Sequence, residues 1–240
     1  MLVIIPVRNE EKTIAQTVAG LHLACKGDLL FIDDGSTDQT VEILNKLKTE
    51  RMRVINNMFD RGKGSAIKTA CVLSNMIYAL KPEDDIIFID GDGQIDPKEI
   101  PMYLDLMKLY RADVAIGNKR HSFSVTHYPP LRRIVSSTYN LMIRALFGIH
   151  YQDTQCGIKI FKKYALDKVI QKVTIKRYAF DIELIIALKD LGYRIIDAPV
   201  KIAPQVNKGS VSIGNIIRTF FDTMIVWVKR QRGFYIDKKR

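Results

Sequence analysis

The chain has 240 residues, 47% of them hydrophobic and 26% charged, enough to bury a sizeable core and too apolar for extensive disorder. Lysine and arginine number 37 against 26 aspartates and glutamates, a formal net charge of +11, so an anionic partner is implied: nucleic acid, acidic lipid or a phosphorylated substrate. The basic residues are scattered, with only short clusters such as Lys229-Arg230-Gln231-Arg232, and no nucleic-acid-binding motif accompanies them, which sets nucleic acid aside.

Leu2-Val3-Ile4-Ile5 reads as a short buried strand closed by Pro6. Asn9 is placed to cap a helix with Glu10 and Glu11 in its first turn and Ile14, Val18 and Leu21 as its apolar stripe. A second strand, Leu29 to Ile32, runs into Asp33-Asp34-Gly35-Ser36-Thr37-Asp38, where Ser36 or Thr37 can start the helix carrying Val41, Leu44 and Leu47. A third strand, Arg53 to Asn56, precedes Arg61-Gly62-Lys63-Gly64-Ser65. That loop is neither G-x-G-x-x-G nor G-x-x-x-x-G-K-[ST], so a dinucleotide or Walker reading fails on spacing. Lys63, at the start of a helix from Ser65 to about Leu80, can still meet a diphosphate.

The next stretch organises the chain. Ile86-Ile87-Phe88-Ile89 has the composition of a strand buried on both faces; it stops at Asp90, and Gly91 and Gly93 allow a tight turn. Asp90 and Asp92 then stand at the carboxyl end of a buried strand, the edge where open α/β sheets bind ligands. Carboxylates two apart on a turning loop suit Mg²⁺ or Mn²⁺, ions usually shared with substrate phosphates. A bare D-x-D is common, and the plain alternative is a surface turn before a helix capped by Asp96 with Pro97 in its first turn. The apolar strand before it and the second acidic loop upstream favour a site. Strand and helix alternate three times before this fourth strand, the pattern of a parallel sheet with crossover helices. The strand ends offer Asp, Asn and Lys or Arg rather than a glycine fingerprint, so a nucleotide would be held through a metal and side chains.

Further on, a helix from Ile100 to Tyr110 leads to a strand, Val114 to Gly117, followed by Asn118-Lys119-Arg120. His121 and His127 lack partners at metal-ligand spacing and read as structural or surface residues. Arg120, Arg132 and Arg133, near a strand end and a helix start, are either phosphate-facing or part of a solvated basic face. The apolar helix over 134–149 is either core or lies against lipid. Asp153-Thr154-Gln155-Cys156-Gly157 opens a strand, Ile158 to Phe161; Arg177-Tyr178-Ala179-Phe180-Asp181-Ile182-Glu183 begins an amphipathic helix ended by Gly192. Ile195-Ile196 and Val200-Lys201-Ile202 flank Pro199 and form either edge strands or one interrupted strand, and a last helix over 213–228 is apolar with Arg218, Lys229, Arg230 and Arg232 about it. Cys25, Cys71 and Cys156 form no C-x-x-C pair, so neither a disulfide framework nor a zinc site is expected, and a reducing cytoplasmic setting is. No run reaches the roughly 18 apolar residues of a membrane span.

Taken together, Pro6-Val7-Arg8-Asn9-Glu10-Glu11, Asp33-Asp34-Gly35-Ser36-Thr37-Asp38, Arg61-Gly62-Lys63-Gly64 and Asp90-Gly91-Asp92-Gly93-Gln94 resemble, in their order, the motifs of inverting family 2 glycosyltransferases with the GT-A fold. Asp153 to Gly157 and Arg177 to Asp181 narrow the resemblance to the dolichyl-phosphate glucosyltransferases, with the dolichyl-phosphate mannose synthases close by. It implies an α/β fold, a Rossmann-like, mostly parallel sheet flanked by helices in one GT-A domain over residues 1–210, with 211–240 as a C-terminal amphipathic basic helix suited to a membrane interface. By the same resemblance Pro6, Arg8, Glu10 and Asp34 would line the nucleotide pocket, and Asp90, Asp92 and Gln94 would hold the metal and through it the diphosphate. Arg120 and Arg132 or Arg133, with Ser136 or Ser137, would meet the acceptor phosphate. Lys208 would close over the donor diphosphate. Asp153, Gln155 and Asp181 would position the sugar or brace loops.

The expected reaction moves a hexose from a nucleotide sugar of UDP-glucose or GDP-mannose type to a polyprenyl (dolichyl) phosphate, with Asp92, Arg120 and Arg132 at its centre. The expected location is the cytoplasmic face of an anionic membrane. Relatives often append transmembrane helices, which leaves room for a membrane-anchoring partner. Transfer to a saccharide hydroxyl and sugar nucleotidyl transfer are the alternatives; the second would want a glycine-rich N-terminal loop, of which Pro6-Val7-Arg8-Asn9-Glu10 is a poor version.

Overall fold

The computed structural model describes the backbone of residues 1–57, 62–126, 130–151, 153–203 and 213–236, and the side chains of these except 130–136 and 213. Strands β1 (Leu2–Val7), β2 (Asp28–Asp33), β3 (Met52–Asn56), β4 (Asp85–Ile89), β5 (Val114–Asn118), β6 (Ile158–Lys162) and β7 (Ile195–Pro199) form one seven-stranded sheet in the order β3-β2-β1-β4-β6-β5-β7. Every pairing is parallel except those of β6, which runs antiparallel to both β4 and β5. Two reversals cancel, so β4 and β5 point the same way and their carboxyl ends share one edge with those of β1 and β2.

Helices α1 (Ile14–Ala24), α2 (Thr40–Lys46) and α4 (Ile100–Tyr110) cover one face of the sheet. Helices α3 (Lys63–Ile77), α5 (Pro130–Phe147), α6 (Lys163–Ile170), α7 (Phe180–Asp190) and α8 (Ile213–Gln231) lie on the other. The period-2 rule divides the strands between two cores. Leu2 and Ile4 face the layer holding α3 and α7, while Val3, Ile5 and Val7 face the layer holding α1 and α4. Burial on both sides is why β1, β2 and β4 read as nearly unbroken apolar runs.

Several elements depart from the expected ones for local reasons. β1 does not close at Pro6 but continues to Val7, because its ladder with β4 has already ended at Ile4–Phe88. Asn9 caps no helix: it adopts a left-handed φ of 55°, its Oδ1 accepts from the Thr37 N–H at 2.8 Å, and α1 starts only at Ile14. Neither Ser36 nor Thr37 starts α2, because the Asp33 carboxylate takes the N–H groups of Gly35 and Ser36 as a turn. Asp38 instead accepts from the Thr40 N–H at 3.0 Å where α2 begins. Asp96 does cap the one-turn helix Pro97–Glu99, accepting from Lys98 N–H.

Helix α7 is not amphipathic in place. Phe180 to Leu188 are all buried, Asp181 and Glu183 among them, because α3, α6 and α8 pack around it. The Glu183 carboxylate, wholly buried, accepts from the N–H groups of Thr174 and Ile175, from the Tyr235 hydroxyl at 2.8 Å and from Lys229 at 3.2 Å. Those bonds, with Arg230 on Asp190 and Thr223 on Tyr139, fasten α8 to α7 and α5. Val226 and Tyr235 are buried in the core, whereas Ile216, Ile217, Phe220, Phe221 and Ile225 are exposed. In the helix over 134–149, Ile143 and Phe147 are core, whereas Leu141 is exposed. All three cysteines are buried free thiols.

Candidate active site

The chain leaves β1 toward β2 on one side, while β4 pairs with β1 on the other, so the crevice between β1 and β4 is the switch point of the sheet. Pro6 and Arg8, Asp33 and Asp34, and Asp90 and Asp92 all fall at this edge. The turn after β4 is closely held. The Asp90 N–H donates to the Gly157 carbonyl at 3.0 Å, and the Gly91 N–H to the Pro6 carbonyl at 3.3 Å. A Cβ on Gly91 would stand 2.5 Å from Val7 Cγ1, and Gly93 has φ +71°, so both positions call for glycine.

Two carboxylates and an ammonium meet on this turn. Lys63 Nζ, from the first turn of α3, lies 2.6 Å from Asp90 Oδ1 and 3.9 Å from Asp181 Oδ2. Burial, and after it the charge of Asp90, raises the Asp92 carboxyl above the usual carboxylate range. Burial would by itself depress Lys63, but Asp90, Asp181 and Asp92 outweigh it and raise its pKa. Asp92 accepts from the Gln94 N–H at 3.0 Å and also from the Gln94 side-chain amide. Among the described residues no three His, Cys, Asp or Glu side chains converge as a ready cation cage. The expected metal ligands Asp90, Asp92 and Gln94 are nonetheless together, and two crowded carboxylates, one of them paired with an ammonium, are a donor set that a hard cation fits.

The expected nucleotide edge is preorganised by cross-loop bonds. Asp34 Oδ2 accepts from the Gly62 N–H at 2.9 Å, with Gly62 at φ +89°, which ties the end of β2 to the start of α3. The Glu10 N–H donates to Thr40 Oγ1 at 2.8 Å and the Glu11 N–H to Asp38 Oδ2 at 3.1 Å, so the loops after β1 and β2 are zipped together. Glu10 itself accepts from Thr13 Oγ1 at 3.1 Å.

At the end of β5, Arg120 NH1 donates to Ser137 Oγ at 3.1 Å. A hollow of about 260 Å³ opens there, lined by Arg120, Ser137, Asn140, Leu141 and Arg144. Asn140 and Arg144 follow Ser137 on α5 at helical spacing and were not singled out from sequence. The side chains of Arg132, Arg133 and Ser136, and all of Lys208, lie outside the described residues. Asp153 is buried and turned inward: it accepts from the N–H groups of Lys119 and Gln155 and pairs with Lys119 Nζ at 3.5 Å. The Gln155 amide donates to the Tyr178 carbonyl at 3.3 Å. These two residues brace the loop before β6 against β5 and the start of α7.

Asp181 is also buried, its Oδ1 2.8 Å from Lys159 Nζ. Burial alone would raise its pKa, but Lys159 and then Lys63 more than offset this and hold it low. Sequence reading passed over Lys159. The available signal was a lysine standing inside the apolar run Ile158-Lys159-Ile160-Phe161, a charge that a buried strand tolerates only with a partner.

Comparison with known proteins agrees with this geometry. The model of the family described as "Glycosyl transferase family 2" matches residues 2–170. The polyprenol monophosphomannose synthase of Mycolicibacterium smegmatis is 28% identical over an alignment covering 100% of this chain and 89% of that one. The dolichyl-phosphate beta-glucosyltransferase of Dictyostelium discoideum is 28% identical over 82% of this chain and 64% of its own length. Among solved structures, glucosyl-3-phosphoglycerate synthase from Mycobacterium tuberculosis, in complex with Mn²⁺, uridine diphosphate and glucosyl-3-phosphoglycerate, superposes with TM-score 0.68 at 19% identity, covering 99% of this chain and 81% of that one. A GT-A sheet with its acidic turn at the switch point, and a family model matched over most of the chain, place the protein in glycosyl transferase family 2: it is a glycosyltransferase.

Proposed function

We propose that the enzyme transfers a hexose from a nucleotide sugar, of UDP-glucose or GDP-mannose type, to a polyprenyl phosphate, with inversion at the anomeric carbon. The observation that carries this reading is the placing of an acidic turn and an arginine-lined hollow on one edge of the sheet. Asp90 and Asp92 follow β4, Arg120 follows β5, and β6 alone separates the two strands, a spacing of about 10 Å between strand axes. A donor diphosphate at the first position and an acceptor phosphate at the second would bracket a sugar between them. The names of the polyprenyl-phosphate relatives support this choice of acceptor.

Asp90 and Asp92, with the Gln94 amide, would hold Mg²⁺ or Mn²⁺, which when bound neutralises charge on the departing diphosphate. Lys63 adds a fixed positive charge beside the same turn. Arg120, with its Ser137 partner, would offer guanidinium N–H groups to phosphate oxygens, a group whose planar fork suits bidentate contact. Pro6, Arg8, Glu10 and Asp34 line the nucleotide side. Because a phosphate monoester is already substantially ionised near neutral pH, with a second pKa of about 6, no protein base is required. The protein's work is alignment and charge stabilisation.

The exposed stripe on α8 and Leu141 on α5 would rest on an anionic membrane surface, where a polyprenyl phosphate is found. Among the described residues no helix is long and apolar enough to cross a membrane. Incubation of the enzyme with radiolabelled UDP- and GDP-hexoses, Mn²⁺ and polyprenyl phosphate should give organic-extractable label. Label that appears only on a saccharide acceptor, or on no acceptor, would refute the reading.

A further inference from the structure

Four charges run in a line from the core to the acidic turn: Lys159 on β6, Asp181 on α7, Lys63 on α3 and Asp90 after β4, with separations of 2.8, 3.9 and 2.6 Å. Lys159 is the inner end and only 2% exposed. Its ammonium has two acceptors, Asp181 Oδ1 and the Cys156 carbonyl at 2.7 Å. Its neighbours across the sheet are Phe88 on β4 and Ile116 on β5, both apolar and buried. A buried ion pair in such surroundings is a poor device for stability, because desolvation offsets its attraction and two apolar residues of similar volume would serve as well. What the pair does supply is a carboxylate with a defined charge and orientation. Oδ1 is taken by Lys159, so the plane of the carboxyl group is set and Oδ2 is left toward Lys63 and the Asp90 turn.

We propose that Lys159 is a positioning residue: it holds the Asp181 carboxylate so that Oδ2 accepts a hydroxyl of the hexose being transferred. This rests on the reading of the site as one that takes a nucleotide sugar. Lys159 does not touch substrate; it acts through Asp181, which does. The hexose then meets the protein through a carboxylate that is neutralised from behind, while Lys63 keeps its charge paired with Asp90 on the acidic turn.

The test compares binding of UDP-glucose and GDP-mannose with that of UDP and GDP, by calorimetry with Mn²⁺, in wild type and variants. Lys159→Met should weaken binding of the preferred nucleotide sugar about 10- to 100-fold, the worth of a hydrogen bond to a charged group, while the matching nucleoside diphosphate binds within about twofold of wild type. Lys159→Arg, which keeps the charge and the donors, should recover most of the loss. In an Asp181→Asn background, Lys159→Met should add nothing further, as expected for two residues acting as one unit. That comparison stands even where the single methionine variant, with Asp181 left unpaired, folds poorly. Full nucleotide-sugar affinity in Lys159→Met, equal losses for sugar nucleotide and nucleoside diphosphate, or a further tenfold loss in the Asp181→Asn background would each overturn the proposal. Wild-type protein that binds no nucleotide sugar would overturn the functional reading with it. Wild-type binding without transfer to polyprenyl phosphate would overturn the acceptor assignment alone.

Discussion

Gly157 and Asp90 are in contact across the end of the β4–β6 ladder: the Asp90 N–H donates to the Gly157 carbonyl at 3.0 Å, and a Cβ on Gly157 would stand 2.5 Å from Asp90 Oδ2. The glycine opening the strand after the Asp153 loop therefore sets where the first carboxylate of the acidic turn can sit. Gly157→Ala should push that carboxylate off Lys63 by a fraction of an ångström to an ångström. A misplacement of about 1 Å costs on the order of 100-fold in rate, and that is the expected fall in kcat/KM. The melting temperature should drop by only a few degrees, roughly the effect of 1 kcal/mol in a chain of this size. Wild-type turnover in this variant would show that Asp90 needs no fixed position.

Metal dependence is expected through Asp92. Asp92→Asn keeps the size of the side chain and removes the charge that would bind the cation. Turnover should fall about 100- to 1,000-fold, the scale seen when one element of charge stabilisation is removed, with the circular dichroism spectrum unchanged. Excess chelator on wild type should reproduce the loss, and added Mn²⁺ or Mg²⁺ should reverse it. Undiminished activity in either experiment would remove the metal assignment.

The pH–rate profile distinguishes acceptor chemistry from protein bases. Lys159 and Lys63, outweighing burial, hold Asp181 below the ordinary carboxylate range, so it stays ionised at any pH above that range. It can contribute no acidic limb near pH 6, whereas a phosphate monoester with a second pKa of about 6 can. The limb should therefore persist in Asp181→Asn and in Asp153→Asn even where turnover slows. Its disappearance in one variant would mean that this carboxylate takes a proton and that the acceptor is a hydroxyl.

Surface binding should depend on the outer stripe of α8. Ile217 and Phe221 are 52% and 61% exposed, one turn apart on that helix, while Val226 is buried on its other face and Tyr235, just beyond its end, is buried in the core. Burying an apolar side chain of this size is worth about 1.5–3 kcal/mol, so replacing either with glutamate should weaken partitioning onto vesicles about tenfold or more. Binding to anionic vesicles should weaken with salt. Equal partitioning onto neutral and anionic vesicles would refute the electrostatic part, and no binding to either would refute both parts.

Much of the sheet was legible from residue order, because it depends on local chemistry. Apolar runs closed by Pro6, Asp33 and Asp90 marked β1, β2 and β4, and Gly91 and Gly93 marked the turn that presents Asp90 and Asp92. Pro199 was likewise consistent with the edge strand that β7 proves to be. Cap positions were less legible, since Asn9 and Asp33 bond across or within loops whose partners lie about 28 or only 2–3 residues away, and the pattern does not say which will win. Helix α6 went unmarked, as a short helix directly after a strand offers no separate start signal.

The sequence by itself thus determined the alternation of strand and helix, the acidic strand ends and the family. Only the tertiary structure decided that β6 enters antiparallel between β4 and β5, bringing Gly157 against Asp90 and Lys159 beneath Asp181. It also turned Asp153 inward as a brace and buried α7 on all sides. The physical reason is range. A strand end or a glycine turn follows from the dihedral preferences of a few neighbours, whereas a line of charges from β6, α7, α3 and β4 exists only once strand order has placed residues 63, 90, 159 and 181 together.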